Sequence, residues 1–260
     1  MIKEISDSDV ENGKTVVYNH LVSPLTREGA LESLLFCIAS QAWRWENASD
    51  FVRALRSSSN GTKTKDGYAS FDVLTNSELV NTIAKDGGFR FYHEGRFQPS
   101  ISHFTKASEN WWDKIKDADA ETRDQFSNAV KYLGYKTFSF WNICLGGKDL
   151  LAIDVHVAGW LRKLGVNLDV YYSISKPREK GDQKVRKTPN RDDYVRIESE
   201  ARKLFSTDER FILPDGKVDM ALVDGVLWGE RASRERRQLS FGWHSEWQRL
   251  PYSKLRGSSS

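Results

Sequence analysis

Apolar residues recur along this chain at three- and four-residue spacings while strand-like alternation is scarce, which restricts it to a mainly α fold. After Ser23-Pro24, read as a cap-and-proline helix start, Leu31, Leu34, Leu35 and Ile38 fall on one helical face. Phe51, Val52 and Leu55 mark the buried side of a second helix. Thr75 and Glu78 have capping-box spacing ahead of Leu79, Val80 and Ile83, and Gly87 with Gly88 should stop that helix. Phe126, Val130 and Leu133 share another face, Gly134 interrupts, and a further helix is expected over 137–145 before Gly146 and Gly147. The next opens near Asp154 and should bury Val157, Leu161 and Leu164 before Gly165. Two more are expected near 194–205 and 218–228. Residues 57–67 and the Lys/Arg-rich stretch 172–191 read as polar loops.

Composition narrows the class. With 260 residues, 39% hydrophobic and 29% charged, the chain has ample sequence for a core and is neither a disordered tail nor a membrane protein. No apolar run approaches the ~18 residues of a bilayer span, and the N-terminus is too charged for a signal peptide. Cys37 and Cys144 are the two cysteines, too few for a disulfide framework, a four-cysteine zinc site or a four-cysteine iron–sulfur cluster. The expectation is a soluble, intracellular monomer. Net charge is only +3, but it is unevenly spread: residues 172–260 hold 19 Lys+Arg against 14 Asp+Glu, the preceding 171 hold 20 against 22. A basic final third can flank a polyanion, although such runs also serve as plain solvated surface.

Chemistry concentrates in residues 131–161, KYLGYKTFSFWNICLGGKDLLAIDVHVAGWL. A turn at Leu133-Gly134-Tyr135 would leave the first amides of the following helix pointing outward, a phosphate cradle that needs no base-reading side chain. Lys136 stands beside that cradle, and Asp154 comes 18 residues later at an expected helix N-terminus. An amine and a carboxylate beside a phosphate-binding turn suit chemistry on a sugar–phosphate, with the amine attacking carbon and the carboxylate stabilising positive charge.

This segment resembles the helix-hairpin-helix and Asp signature of the HhH-GPD base-excision DNA glycosylase superfamily. LGYK is similar to the hairpin that ends in a catalytic lysine, and AIDVHV to the loop end with its aspartate. The short gap and the wording GYKTFSFWNICLGGKDLLAID are most similar to the archaeal-type 8-oxoguanine DNA glycosylase/lyases. LESLLFCIASQAWRWENASDFVRAL, GGFRFYHEGR, DYVRIESEARKLF and VDMALVDGVLWGE follow in matching order. The resemblance implies two helical subdomains with the active site in the cleft between them. It divides the chain into an N-terminal segment (1–24), a glycosylase domain (25–230) with its hairpin at about 124–145, a C-terminal extension (231–256) and an appended tail (257–260).

It also implies the roles. Lys136 would form a Schiff base with C1′ and Asp154 would support it, with the amine kept neutral by desolvation or a neighbouring cation. Gln41, Leu133, Gly134, Tyr135 and His156 would contact double-stranded DNA, and Phe91 and Trp228 would sandwich the flipped base, with 8-oxoguanine favoured. No redox cofactor or catalytic metal is implied; a structural monovalent cation at the hairpin is. The two cysteines place the chain with the cluster-free branch. The same chemistry on another modified base, for example in foreign DNA, and a non-catalytic hairpin DNA-binding module stay open as alternatives. Two departures stand out: Tyr132 occupies the hairpin's usual first Gly position, where distortion or a lost amide contact is expected, and the chain continues past the last helix with Trp243 and Trp247.

Overall fold

The computed structural model describes residues 2–41, 45–58, 64–88, 95–107, 110–168 and 189–235. Among them twelve α-helices follow in order: α1 (Asp7–His20), α2 (Arg27–Ser40), α3 (Trp45–Ser57), α4 (Phe71–Thr75), α5 (Ser77–Asp86), α6 (Phe97–Thr105), α7 (Trp111–Lys116), α8 (Ala120–Ala129), α9 (Tyr135–Cys144), α10 (Val155–Lys163), α11 (Arg191–Phe205) and α12 (Met220–Glu235). The β pairing among the described residues is an isolated antiparallel bridge between Ile212 and Val218. No helix there is long and apolar enough to cross a membrane. The chain forms two compact units, one of Met1–Val17 with Lys148–Gln238, the other built on Tyr18–Gly147.

The second unit is organised around α2, which buries every residue from Gly29 to Ala39 and packs against α3, α4, α6 and α9. A helix buried all round needs apolar residues on every face, and α2 breaks that rule with a charged group once, at fully buried Glu32. Its carboxylate accepts Arg56 Nη2 at 2.6 Å and the Ala69 amide at 2.9 Å, so the charge is paired and its lone pairs are used. Burial, with the Glu32 carboxylate nearby, pushes the Tyr68 hydroxyl up to about 12. Fully buried Trp141 of α9 donates Nε1 to the Ala30 carbonyl at 2.9 Å, fastening α9 to α2. Arg123, also fully buried, donates to Ser139 Oγ at 3.1 Å and ties α8 to α9.

Two helix starts differ from the sequence expectation. Ser23-Pro24 is a cis peptide ahead of α2, whose N-cap is Thr26, accepting the Gly29 amide at 3.1 Å. Asn76, not Thr75, caps α5 and accepts the Leu79 amide at 3.1 Å, because Thr75 ends α4 with its hydroxyl donated to the Phe71 carbonyl.

In the first unit α10 packs on α12. Of the N-terminal segment 1–24 set apart on sequence, the part up to Val17 belongs here and the rest to the other unit. Gly13 of α1 meets Gly225 of α12 so closely that a Cβ on Gly225 would stand 2.6 Å from the Gly13 carbonyl oxygen. Asp208 holds the chain start, accepting the Ile2 amide at 2.8 Å and Arg210 Nη2 at 2.7 Å.

Candidate active site

The α8–α9 connection is a tight hairpin whose shape follows from alternating burial. Val130 and Leu133 are each 1% exposed and pin the loop, while Tyr132 between them is 40% exposed. The turn requires a left-handed residue, and Tyr132 itself supplies it at φ 71°, so the loop closes without the usual glycine. The Tyr132 ring has Lys131 Nζ at 4.9 Å and the Arg96 guanidinium at 5.5 Å from its centroid.

Gly134 is the N-cap of α9, extended at φ −73° and ψ 168°, and brings no capping side chain. The first bond of the helix runs from the Phe138 amide to the Gly134 carbonyl at 2.9 Å, so the amides of Tyr135, Lys136 and Thr137 lie ahead of it. The first turn of α9 also holds no acidic residue, whereas α8 has both Asp119 as cap and Glu121. The dipole of α9 is therefore left for an anion from outside. A Cβ on Gly134 would meet nothing within 4 Å, so the approach is open. Leu133 buries its side chain and has only its backbone to offer a ligand.

Gln41 ends α2 with an exposed side chain that reaches the hairpin, donating Nε2 to Thr137 Oγ1 and, at 3.5 Å, to the Tyr132 carbonyl. Sequence alone gave no sign of this link. Lys136 is half-buried, one turn along α9 from Phe140, with Nζ 5.3 Å from that ring's centroid. Phe140 lies edge-on to His20 at 5.7 Å, and His20 to Trp45 at 5.0 Å, so an aromatic wall backs the amine. Among the described residues no carboxylate pairs with Lys136.

Asp154 is the N-cap of α10, and its Oδ1 accepts the amides of His156 at 2.7 Å and Val157 at 2.9 Å. Among the described residues its Oδ2 accepts no hydrogen bond. The apolar run leading to it is held by side chains that sequence reasoning missed. The Leu151 amide donates to Glu198 at 2.7 Å, that of Ala152 to Asp224 at 3.2 Å, and that of Ile153 to the Tyr194 hydroxyl at 2.9 Å. His156 is half-buried beside the cap, and Trp228 is half-buried on α12. Thus Gln41, Leu133, Gly134, Tyr135 and Lys136 gather at the hairpin, while Asp154 and His156 share the start of α10. Phe91, residues 172–188 of the basic loop and the extension beyond 235 lie outside the described residues.

No protein-family model and no curated protein matches this sequence. Solved structures do. The Methanocaldococcus jannaschii 8-oxoguanine DNA glycosylase superposes with a TM-score of 0.60 at 18% identity, over 88% of this chain and 89% of that one. The fold is that of the 8-oxoguanine DNA glycosylases. The Methanocaldococcus jannaschii 8-oxoguanine glycosylase/lyase in complex with a 15mer DNA containing 8-oxoguanine shares that glycosylase fold, with a TM-score of 0.58, 17% identity and coverage of 87% and 90%. So does the Thermotoga maritima 8-oxoguanine DNA glycosylase, at 0.51 and 17% over 85% and 86%. Within this fold α8 and α9 form a helical hairpin, and Asp154 caps α10.

Proposed function

We propose that this chain is a bifunctional DNA glycosylase/lyase that excises a damaged base from duplex DNA, with 8-oxoguanine as the favoured substrate. The observation that carries the reading is the open, uncapped N-terminus of α9 with Lys136 in its first turn, in a fold shared with an 8-oxoguanine glycosylase/lyase crystallised with DNA containing 8-oxoguanine.

The hairpin amides would hold a backbone phosphate and fix the register of the duplex without reading sequence. A stacked base shields its glycosidic bond, so the nucleotide is flipped out, with Gln41 filling the gap and Trp228 and Phe91 flanking the base. The lone pair of the Lys136 amine forms a bond to C1′ as the C1′–N bond breaks. The base leaves with that electron pair and takes up a proton. Asp154, through its uncommitted oxygen, stabilises the oxocarbenium-like charge at C1′. Sugar ring opening gives an imine, loss of a C2′ proton expels the 3′ phosphate, and hydrolysis of the imine restores the amine. His156 adds a phosphate contact at the start of α10.

The carbonyls of Val130, Tyr132 and Gly134 each accept a protein hydrogen bond and keep a second lone pair, a neutral oxygen set that suits a monovalent cation. Such an ion would stiffen the loop.

The test is single-turnover base release from duplexes carrying 8-oxoguanine, other oxidised or alkylated bases, uracil or no lesion. Release from 8-oxoguanine should lead the panel. Asp154→Asn should bind the same duplex normally and slow release by roughly 10²- to 10³-fold. Preference for another base would overturn the substrate, and undiminished release by Asp154→Asn would overturn that residue's role.

A further inference from the structure

We infer that Tyr194, Glu198 and Asp224 are positioning residues for excision, a buried clamp that sets the Asp154 carboxylate through the backbone of residues 151–153. The inference rests on the reading of Asp154 given above.

Leu151, Ala152 and Ile153 are at most 3% exposed, so each backbone amide must find a protein partner. In a helix or sheet those partners would be carbonyls. Here three consecutive amides go instead to three side-chain oxygens, at 2.7, 3.2 and 2.9 Å. The Tyr194 hydroxyl works twice, accepting from the Ile153 amide and donating to the Leu151 carbonyl at 2.8 Å. Tyr194 and Glu198 are four residues apart on α11 and so share a face, while Asp224 comes from α12. Two carboxylates buried to 4% and 8% exposure are costly ways to satisfy an amide. What they give in return is a fixed backbone at the residue before a helix cap. The cap conformation, φ −99° and ψ −174°, goes with the Asp154 side chain turned so that Oδ1 accepts both amides. Arg202 extends the clamp by pairing with Asp149 at 3.0 Å, as does Lys148 with Asp219 at 3.0 Å.

A loosened run would let the carboxylate drift, and displacement of ~1 Å costs on the order of 10²-fold in rate. The experiment is a double-mutant cycle on 8-oxoguanine duplex. Single-turnover release and duplex affinity are measured for Tyr194→Phe, Asp154→Asn and the pair, each assayed well below its unfolding temperature. Tyr194→Phe should lose roughly tenfold in release with unchanged affinity, and should lose nothing further in the Asp154→Asn background. Glu198→Gln keeps an acceptor oxygen and should recover most of the rate lost in Glu198→Ala. Equal loss from Tyr194→Phe in both backgrounds, or no loss in either, overturns the inference while leaving Asp154 in place. Wild-type release by Asp154→Asn overturns the parent reading and this one with it.

Discussion

Tyr132 is the residue at which this hairpin departs from its expected pattern, and its backbone carries the cost. A non-glycine residue at φ 71° is strained by about 1 kcal/mol or more. Its ring, meanwhile, lies beside Lys131 and Arg96. Two substitutions separate these contributions. Tyr132→Ala removes the ring and keeps the strain; Tyr132→Gly removes both. The glycine variant should therefore be more stable than the alanine variant by about 0.5–1 kcal/mol in urea unfolding, and the reverse order would refute the strain. Asp208 makes a second prediction. The hydrogen bond from Arg210 first, then those from the Ile2 and Arg210 amides, hold its carboxyl well below the usual carboxylate range. The folded state thus binds this proton more weakly than the unfolded chain does. Its stabilisation is complete above the ordinary carboxylate pKa and drains away as pH falls through and below it. Between pH 6 and 3 the wild type should lose more stability than Asp208→Asn; parallel curves would contradict the coupling.

At the scale of elements, the close approach of α1 and α12 depends on Gly13 and Gly225. An added methyl at Gly225 would meet the Gly13 carbonyl oxygen at 2.6 Å and Val17 Cγ2 at 2.8 Å. Gly225→Ala should cost about 1–3 kcal/mol, measured by denaturant midpoint, and an unchanged midpoint would show that the helices can part freely. This contact also shows why α1 escaped the sequence reading: a glycine in mid-helix lowers apparent helical propensity although it is there for packing. Periodicity and glycine punctuation did reveal α2, α3, α5 and α9 to α12, because each buries apolar residues within its own unit. Caps were less legible, since Thr75 and Asn76 are both good cap residues and only the end of α4 decides between them. The 151–153 clamp was invisible, because side chains 41 to 72 residues distant leave no periodic trace when they bind a backbone amide.

At the scale of the whole molecule, a net charge of +3 would argue weakly for a nucleic-acid enzyme. On the proposed reading the hairpin answers this, because helix amides and a dipole unopposed by acidic residues would grip a phosphate with few cationic side chains. The turn, Lys136 and the helix-capping Asp154 were legible because they come in one order at one spacing, and the structure builds the turn at 130–134 and the cap at Asp154. What the spacing could not convey was the aromatic wall behind Lys136, assembled from His20, Trp45 and Phe140 across 120 residues of chain. The central claim is that Lys136 makes a covalent bond to the sugar. Borohydride reduction during reaction with an 8-oxoguanine duplex tests it most directly. The wild type should give a covalent protein–DNA adduct that is absent in Lys136→Gln, even though that variant still binds the duplex. No adduct from the wild type, or an adduct of equal yield from Lys136→Gln, would contradict it.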